Sequence, residues 1–575
     1  MKVSLSWLKE LVDYQLTSEE LANKLSLTSI GVKQQTEDYL ELDLTYNRGD
    51  LLSLWGVAYE VSAITDAPLK FLGDIPDDYI WVGKNLPQVK VEIEEEKLCP
   101  VYCVAKIENL KVEHSDDTWI KKLSDSGMRS INNIADATNL IMLEYGQPMH
   151  AFSAKAIKNE TIKVRVSKKG EMLKTLDNKV RKLEDDLLIT DSESILGMAG
   201  VMGGKDSEIS EDTTTILLEA AIFEPLSIRK TSKRHGLYSE ASKRFQHGLT
   251  KIRLLQALDG AIKLYQTLGG TLTAITLKGD FGQVNKSINL SIQKTNSLFG
   301  VLLDEETITK ALQKLNFDVN PKDADTLEIT SPYFRKDIEI EEDVIEEVAR
   351  IYGYEKIEAR PLEGEKPEKL DQSLQNFIHD LKVSCKEAGL TEVQSYSFYS
   401  SETINDLRLT INDLVKIANP ISSETEYMRT FIWPNLIEVV AKNIRAGFKQ
   451  SFSSSKDIAV FEIGKIYQPA SPDASLGWPT ESYRLAIALM NGSDHPIDEL
   501  LVIARNVMTK QSANMGEIAT SPSAPRNDDL FHPTRFTDIK VDAKVVGTIA
   551  EVHPRFLNNF GIDKRVAILE INIEI

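Results

Sequence analysis

Three groups of residues have types and spacings that could carry chemistry. Between Asp337 and Glu347, seven carboxylates fall within eleven residues without a base. Asp343, Glu346 and Glu347 stand at i, i+3 and i+4, a spacing that puts side chains on one helical face, where like charges repel. A hard divalent cation with oxygen ligands would relieve that repulsion, with Asp337 on the preceding turn as a further ligand. The competing explanation is structural: acids favour a helix N-terminus, and Asp343 with Glu346 also has capping-box spacing.

The second group is basic. Arg229, Lys230, Lys233, Arg234 and His235 form a run without acids, followed by Lys243, Arg244 and His247. Such a run suits a phosphate-rich ligand or a solvated helix face. Only Tyr238 and Phe245 interleave it, so no single-strand stacking platform is indicated.

The third group centres on His150, with Thr138 and Asn139 about a dozen residues before it and Gln147-Pro148 as a turn leading in. A histidine titrating near neutrality can orient or deprotonate a water, and Thr and Asn can position that water or hold an ester carbonyl. An ordinary buried or surface histidine is the alternative. The glycines of Gly200-Val-Met-Gly203-Gly204 lack the lysine and spacing of a P-loop and imply close backbone approach. No nucleophile elbow, zinc helix or kinase signature is present.

The elements that must position these residues belong to a large chain. Its 575 residues suggest about three to five domains. Hydrophobic residues at 42% and charged residues at 27% allow a sizeable core and exclude general disorder. A formal charge of −20 excludes wholesale attraction to nucleic acid or anionic membrane but permits a local basic stripe. Cys99, Cys103 and Cys385 are too few for a disulfide framework and point to a reducing compartment. No apolar run reaches the roughly 18 residues of a membrane span, and Lys2 sits where a signal peptide would need an apolar core. The expectation is a cytoplasmic protein.

The first 36 residues read as helical, with Thr17 and Glu20 at capping-box spacing before Leu21, Ala22 and Leu25. A short strand over residues 40–44, a turn at Asn47-Arg48-Gly49-Asp50 and a helix over 54–64 complete an α/β module spanning 1–95, of which 70–95 reads as loop and edge strand. Strands alternating with glycine turns predict a sheet-rich domain over 96–280. Asp304 caps a helix carrying Ile308, Ala311, Leu312 and Leu315, within a small helical, winged-helix-like domain over 284–360. A linker-like stretch, 361–367, leads to residues 363–575. Those hold a helix ending on Gly389, another opened by Pro434, and strands near 458–463, 483–490, 536–541 and 566–573, with loops over 469–482 and 520–526. The fold class is multidomain α+β.

At these residues the chain resembles the beta subunits of bacterial phenylalanyl-tRNA synthetases over nearly all of its length. The motifs are the opening Met-Lys-Val-Ser-Leu-Ser-Trp-Leu-Lys, Leu44-Thr-Tyr-Asn-Arg-Gly-Asp50, Asp136-Ala-Thr-Asn139, Gly146-Gln-Pro-Met-His-Ala-Phe152, Ala199-Gly-Val-Met-Gly-Gly204 and Leu218-Glu-Ala-Ala-Ile-Phe223. They continue with Arg335-Lys-Asp-Ile338, Asp343-Val-Ile-Glu-Glu347, Arg350-Ile-Tyr-Gly-Tyr354, Phe461-Glu-Ile-Gly464 and Glu551-Val-His-Pro554.

The resemblance implies that the sheet-rich domain edits, hydrolysing tyrosine wrongly esterified to tRNA(Phe). It places Thr138, Asn139 and His150 around the ester. Ala199, Gly200 and Ala241 would give room to the ring and terminal adenosine, and Glu219 would accept the tyrosyl hydroxyl. It implies Mg2+ on Asp337, Asp343, Glu346 and Glu347 near an alpha subunit, in an α2β2 assembly that uses ATP and binds tRNA(Phe). Residues 363–575 resemble the antiparallel core of class II synthetases without its chemistry: Val460 stands where that core carries an ATP-binding arginine, and the last strand lacks an arginine.

An oligonucleotide-binding fold after the first helices and a C-terminal anticodon-binding domain are expected to be missing. Ser153 replaces the usual Asp, and Gln246-His247 the usual Glu-Arg. A scaffold that has lost editing and a free-standing trans-editing hydrolase are the competing functions.

Overall fold

The computed structural model describes residues 1–70, 86–282, 286–359, 361, 364, 370–446, 458–470, 477–491, 495–509, 518–522, 530–541 and 544–573. Most of the linker-like stretch at 361–367, much of 70–95, and parts of the loops at 469–482 and 520–526 lie outside them. Two compact units divide the chain, Met1–Leu362 and Glu363–Ile575.

In the first unit the capping box forms as its spacing requires. Glu20 N–H donates to Thr17 Oγ1 at 3.3 Å and Thr17 N–H to Glu20 Oε2 at 2.9 Å, opening a helix over Ser18–Thr28 that buries Leu21, Ala22 and Leu25. The chain is not helical throughout the first 36 residues. Lys2–Ser4 and Gly31–Gln35 are strands on either side of Tyr39–Asp43, and helix resumes only at Leu5–Leu11 and Ser18–Thr28. Three residues are too few for periodicity to reveal a strand, and Gly31 removes helix propensity just where the pairing begins. The helix Leu54–Thr65 is apolar on most sides and is correspondingly buried.

The sheet-rich region is built from a two-stranded sheet, Met172–Lys174 paired with Val180–Lys182, and two larger ones. One has the antiparallel order Thr271–Gly279, Val101–Glu108, Ile216–Ile222, Met149–Ser153. The other runs Met202–Gly203, Ile195–Met198, Leu187–Thr190, Thr161–Val166 and, parallel at its edge, Lys90–Ile93. Strand Ile216–Ile222 is buried along its whole length, in keeping with a run that is apolar at every position except Glu219. Helices Asn133–Tyr145 and Lys251–Thr267 pack on the first sheet.

Residues 287–352 hold more than helices. Ser287–Ser291, Thr326–Thr330 and Asp318–Pro321 form a three-stranded antiparallel sheet beside helices Ile292–Phe299, Glu305–Lys314 and Glu341–Tyr352. Asp304 accepts the Thr307 N–H at 2.9 Å, and Ile308, Ala311, Leu312 and Leu315 enter the core.

The second unit centres on a seven-stranded sheet. A two-residue strand, Thr391–Glu392, pairs parallel to Ile458–Gln468, and Thr480–Met490, Ala567–Ile573, Lys544–Val552, Phe531–Val541 and Ile518–Pro522 follow in antiparallel order. Helix Ser373–Glu387 precedes Gly389, whose φ of +85° suits glycine, and Pro434 lies in the first turn of Trp433–Arg445. Among the described residues no helix is long and apolar enough to cross a membrane.

Candidate active site

Strand register brings the main sequence candidates together. Glu219 lies directly opposite His150 on one side and Val104 on the other, while Ala221 lies opposite Tyr102. Side chains alternate between sheet faces, so Tyr102, Glu219 and His150 share one face across three neighbouring strands. Tyr102 Oη donates to Glu219 Oε2 at 2.6 Å. Both groups are buried.

Burial dominates the protonation of this cluster. It raises the Glu219 carboxyl to about 7, with the Tyr102 hydrogen bond opposing. It lowers the His150 imidazole to about 4, so the ring is neutral at physiological pH. The Tyr102 phenol is held far above its usual range by burial and by the neighbouring Glu219 charge. His150 Nε2 is buried and makes no hydrogen bond among the described residues.

The glycine turn explains the close approach its composition required. A Cβ on Gly203 would stand 2.9 Å from His150 Cε1 and 3.0 Å from Nε2, so only a hydrogen at that position lets the turn cover the imidazole. Gly200, at φ +64°, faces Phe245, Phe223 and Ile228, and a Cβ there would reach within 2.8 Å of Phe245. Phe152 meets His150 edge-on with ring centroids 4.4 Å apart.

The remaining candidates lie nearby in chain order but are not joined to this cluster by hydrogen bonds. Thr138 and Asn139 sit on helix Asn133–Tyr145, which packs against Met149–Ser153. Thr138 Oγ1 donates back to the Ala135 carbonyl at 2.7 Å. Ala199 is buried between Ile195–Met198 and the turn, and Ala241 is half-buried on the helix Glu240–Gln246 against the same core.

Sequence reasoning missed Tyr102. Its place at the start of an apolar strand was readable, but its neighbour on the next strand, over a hundred residues away, was not. Gly203 was recognised as a close-approach glycine without its partner.

The acidic run adopts a different arrangement from a cation site. Arg335 holds Asp337 through two bonds of 2.9 Å and also grips Glu347. Arg350 donates to Glu347 at 3.0 and 2.6 Å and reaches Glu60, which Arg48 binds at 2.8 Å. Asp343 Oδ2 accepts the Glu339 and Ile340 N–H groups at 2.8 and 2.9 Å, and Glu346 faces solvent. These oxygens do not converge, and among the described residues no group of three or more metal-binding side chains does. The residues present do not fit Mg2+. Spacing within the run could not reveal this arrangement, because the counter-charges, Arg335 and Arg350, stand just outside the eleven-residue window. Burial pushes the Glu347 carboxyl up, but contact with the Arg350 and Arg335 guanidinium groups outweighs it and holds the group down at about 2.

Part of the basic run is likewise internal. Buried Asp186 accepts from Thr231 at 3.0 Å and Arg234 at 2.5 Å and lies 2.9 Å from His235 Nε2. In the second unit Val460 is buried in the apolar core, while Glu462 pairs with Arg429 at 2.8 Å and accepts from Ser395 Oγ at 2.6 Å.

Three family models match the chain: the B3/4 domain over residues 98–270, the tRNA synthetase B5 domain over 288–354, and the phenylalanyl tRNA synthetase beta chain CLM domain over 357–573. The chain is 33% identical to the phenylalanine-tRNA ligase beta subunit of Syntrophotalea carbinolica, covering 93% of this chain and 67% of that protein. It is 33% identical to the one from Geobacter sulfurreducens, covering 95% and 68%. The chain thus spans about two thirds of these relatives' length. A crystal structure of an N-terminal fragment of the Pyrococcus horikoshii phenylalanyl-tRNA synthetase beta subunit covers 61% of this chain and 99% of its own at 18% identity, with a TM-score of 0.34. On the extent of the sequence likeness, the chain belongs to the phenylalanine-tRNA ligase beta subunit family.

Proposed function

We propose that the chain is the editing and scaffolding subunit of a phenylalanine-tRNA ligase. In this reading its first unit hydrolyses Tyr-tRNA(Phe), and adenylation with ATP falls to a separate alpha subunit in an α2β2 assembly. The observation that carries it is the shared buried face of Glu219 and His150. A synthetic pocket shaped for a benzene ring rejects an added hydroxyl weakly, whereas a site with a buried acceptor rejects the ring that lacks the hydroxyl strongly. Glu219 supplies that acceptor. Neutral His150, with Nε2 unbonded, takes a proton from the attacking water, and Gly203 lets the ester lie close to it. Thr138 and Asn139 orient the ester and water, while Ala199, Gly200 and Ala241 leave space for the ring and adenosine. Mg2+ enters no step.

The second unit carries no synthetic chemistry in this reading. Val460 offers no group to a nucleotide phosphate, and Glu462 is already neutralised by Arg429.

The test is deacylation of Tyr-tRNA(Phe) by the chain co-expressed with the alpha subunit of the same genome. Hydrolysis abolished by His150→Ala, and a loss of preference for Tyr over Phe in Glu219→Ala, are the expected results. Equal rates in all three proteins would refute the reading. A non-enzymatic scaffold is favoured by one observation, the occupation of Glu219 Oε2 by Tyr102, and it predicts no deacylation with normal phenylalanine charging of the mixture.

A further inference from the structure

The basic helix Pro225–His235 has two faces with different fates. Ile228, Thr231 and Ser232 are buried, and Arg234 and His235 turn toward Asp186. Arg229, Lys230 and Lys233 stand on the exposed side at i, i+1 and i+4, and among the described residues none is paired with a carboxylate. On a chain of net charge −20, whose other surface lysines are frequently ion-paired, three adjacent uncompensated cations are a concentrated positive field.

An aromatic group adjoins them. The Arg229 guanidinium lies 5.6 Å from the Tyr46 ring centre, and the other neighbour of Tyr46 is His247 at 4.8 Å. Tyr46 is 62% exposed, so a flat ring is presented to solvent between two nitrogen groups. His247 then borders a crevice that also takes in Arg253 and Lys336. Arg253 is only 7% exposed, yet its guanidinium makes no hydrogen bond among the described residues. Asp50 and Asp337 line the same crevice but are each closed by two bonds from Arg48 and Arg335.

The helix meets the candidate active site from its buried side. Ile228 on the buried side of the helix packs at Gly200, in the same glycine turn whose Gly203 covers His150. The helix's outer face therefore lies about one helix diameter, roughly 10–12 Å, beyond that turn.

We infer that the face formed by Arg229, Lys230, Lys233, Tyr46 and His247, ending at Arg253, binds the single-stranded acceptor end of an RNA whose terminal ester enters the His150–Glu219 site. This deepens the proposed function and rests on it for the identity of the ester. Cations would hold the phosphates while Tyr46 stacks on a base, the combination by which proteins grip unpaired RNA. An acidic protein surface would use the charges but leave the exposed ring without a matching role.

The test uses the complex with its alpha subunit, carrying Arg229→Ala/Lys230→Ala/Lys233→Ala or Tyr46→Ala alone. Filter binding of deacylated tRNA is measured across a salt series, alongside hydrolysis of Tyr-tRNA(Phe) and of the small tyrosyl ester of adenosine. The triple variant should raise the KM for Tyr-tRNA(Phe) at least fivefold and flatten the log-log salt dependence of binding by about 2, from roughly 0.7 per phosphate on a single strand. Tyr46→Ala should weaken binding with little change in slope. Hydrolysis of the small ester should stay at the parent rate. Unchanged tRNA binding and slope would overturn the inference. Dissociation of the alpha subunit with tRNA binding retained would also overturn it and assign the face to protein assembly. If the parent hydrolyses neither ester, the editing reading fails, and the binding arm still decides whether the face holds RNA.

Discussion

Tyr102 gives its phenolic hydrogen to Glu219, so the carboxylate proposed to recognise a tyrosyl substrate already carries a phenol from its own chain. Three strands bring this about: Tyr102 and His150 flank Glu219 from opposite sides. The internal bond fixes one carboxylate oxygen and leaves the other to accept the substrate hydroxyl, which turns Tyr102 into a positioning residue.

Tyr102→Phe tests this directly. Losing a donor to Glu219 moves its titration above the native value of about 7, because that hydrogen bond favours the charged form. The rise of Tyr-tRNA(Phe) deacylation with pH should shift upward, and selectivity over Phe-tRNA should fall. A hydrogen bond to a charged group contributes about 1.5–3 kcal/mol, so stability at neutral pH should drop by a similar amount. A pH profile that superimposes on the parent would show that Tyr102 is mere packing.

Stability should depend on pH through two opposed groups. The Glu219 carboxyl is raised by burial, so the folded chain holds that proton more tightly than the unfolded chain. Its contribution to stability therefore declines as pH rises from 4.5 to about 7, by about 3 kcal/mol. His150 is lowered to about 4, so its contribution is complete above 6.5 and declines by about 3 kcal/mol as pH falls toward 4. Urea unfolding of parent and Glu219→Gln should diverge progressively between pH 4.5 and 7, with the variant gaining at the higher pH. A constant difference across that range contradicts the assignment.

Gly203→Ala should act on catalysis more than on folding. The added methyl collides with the far edge of the His150 ring, which can swing away at an overpacking cost of about 1–3 kcal/mol. Deacylation kcat is expected to fall by tenfold or more with KM little changed. Full activity in this variant would mean that the turn does not set the imidazole's position.

The acidic run should behave as a structural lattice. Glu347→Gln leaves Arg335 and Arg350 buried with reduced compensation, and removal of one partner of such a pair costs about 3–5 kcal/mol. Treating the isolated chain with a chelator should leave its urea midpoint unchanged. A midpoint that falls on chelation and recovers with Mg2+ would restore the cation reading.

Local signals were legible where one element sufficed. Thr17 with Glu20, Asp304 before its apolar stripe, Pro434 and Gly389 each acted through their own backbone neighbourhood. What escaped was set by distant partners. The Tyr102–Glu219 bond spans strands that only the folded register brings together. The carboxylates of 337–347 looked repulsive because Arg335, Arg350 and Arg48 enter from outside the run. Three short strands went unnoticed in residues 287–330, where helical periodicity was the stronger pattern. The pairing of His150 with Glu219 came from family motifs, since spacing alone left that histidine without a partner.

Glu60 is buried on the helix Leu54–Thr65 and takes a guanidinium from Arg48 on its own side and another from Arg350, nearly three hundred residues later. The N-terminal module and the Ser287–Tyr352 module therefore cannot drift independently in descent. A graft of the first sixty-odd residues from a relative would be accepted only if it brought a carboxylate to that same spot, and a recombinant lacking one would strand a cation in the interior of its host.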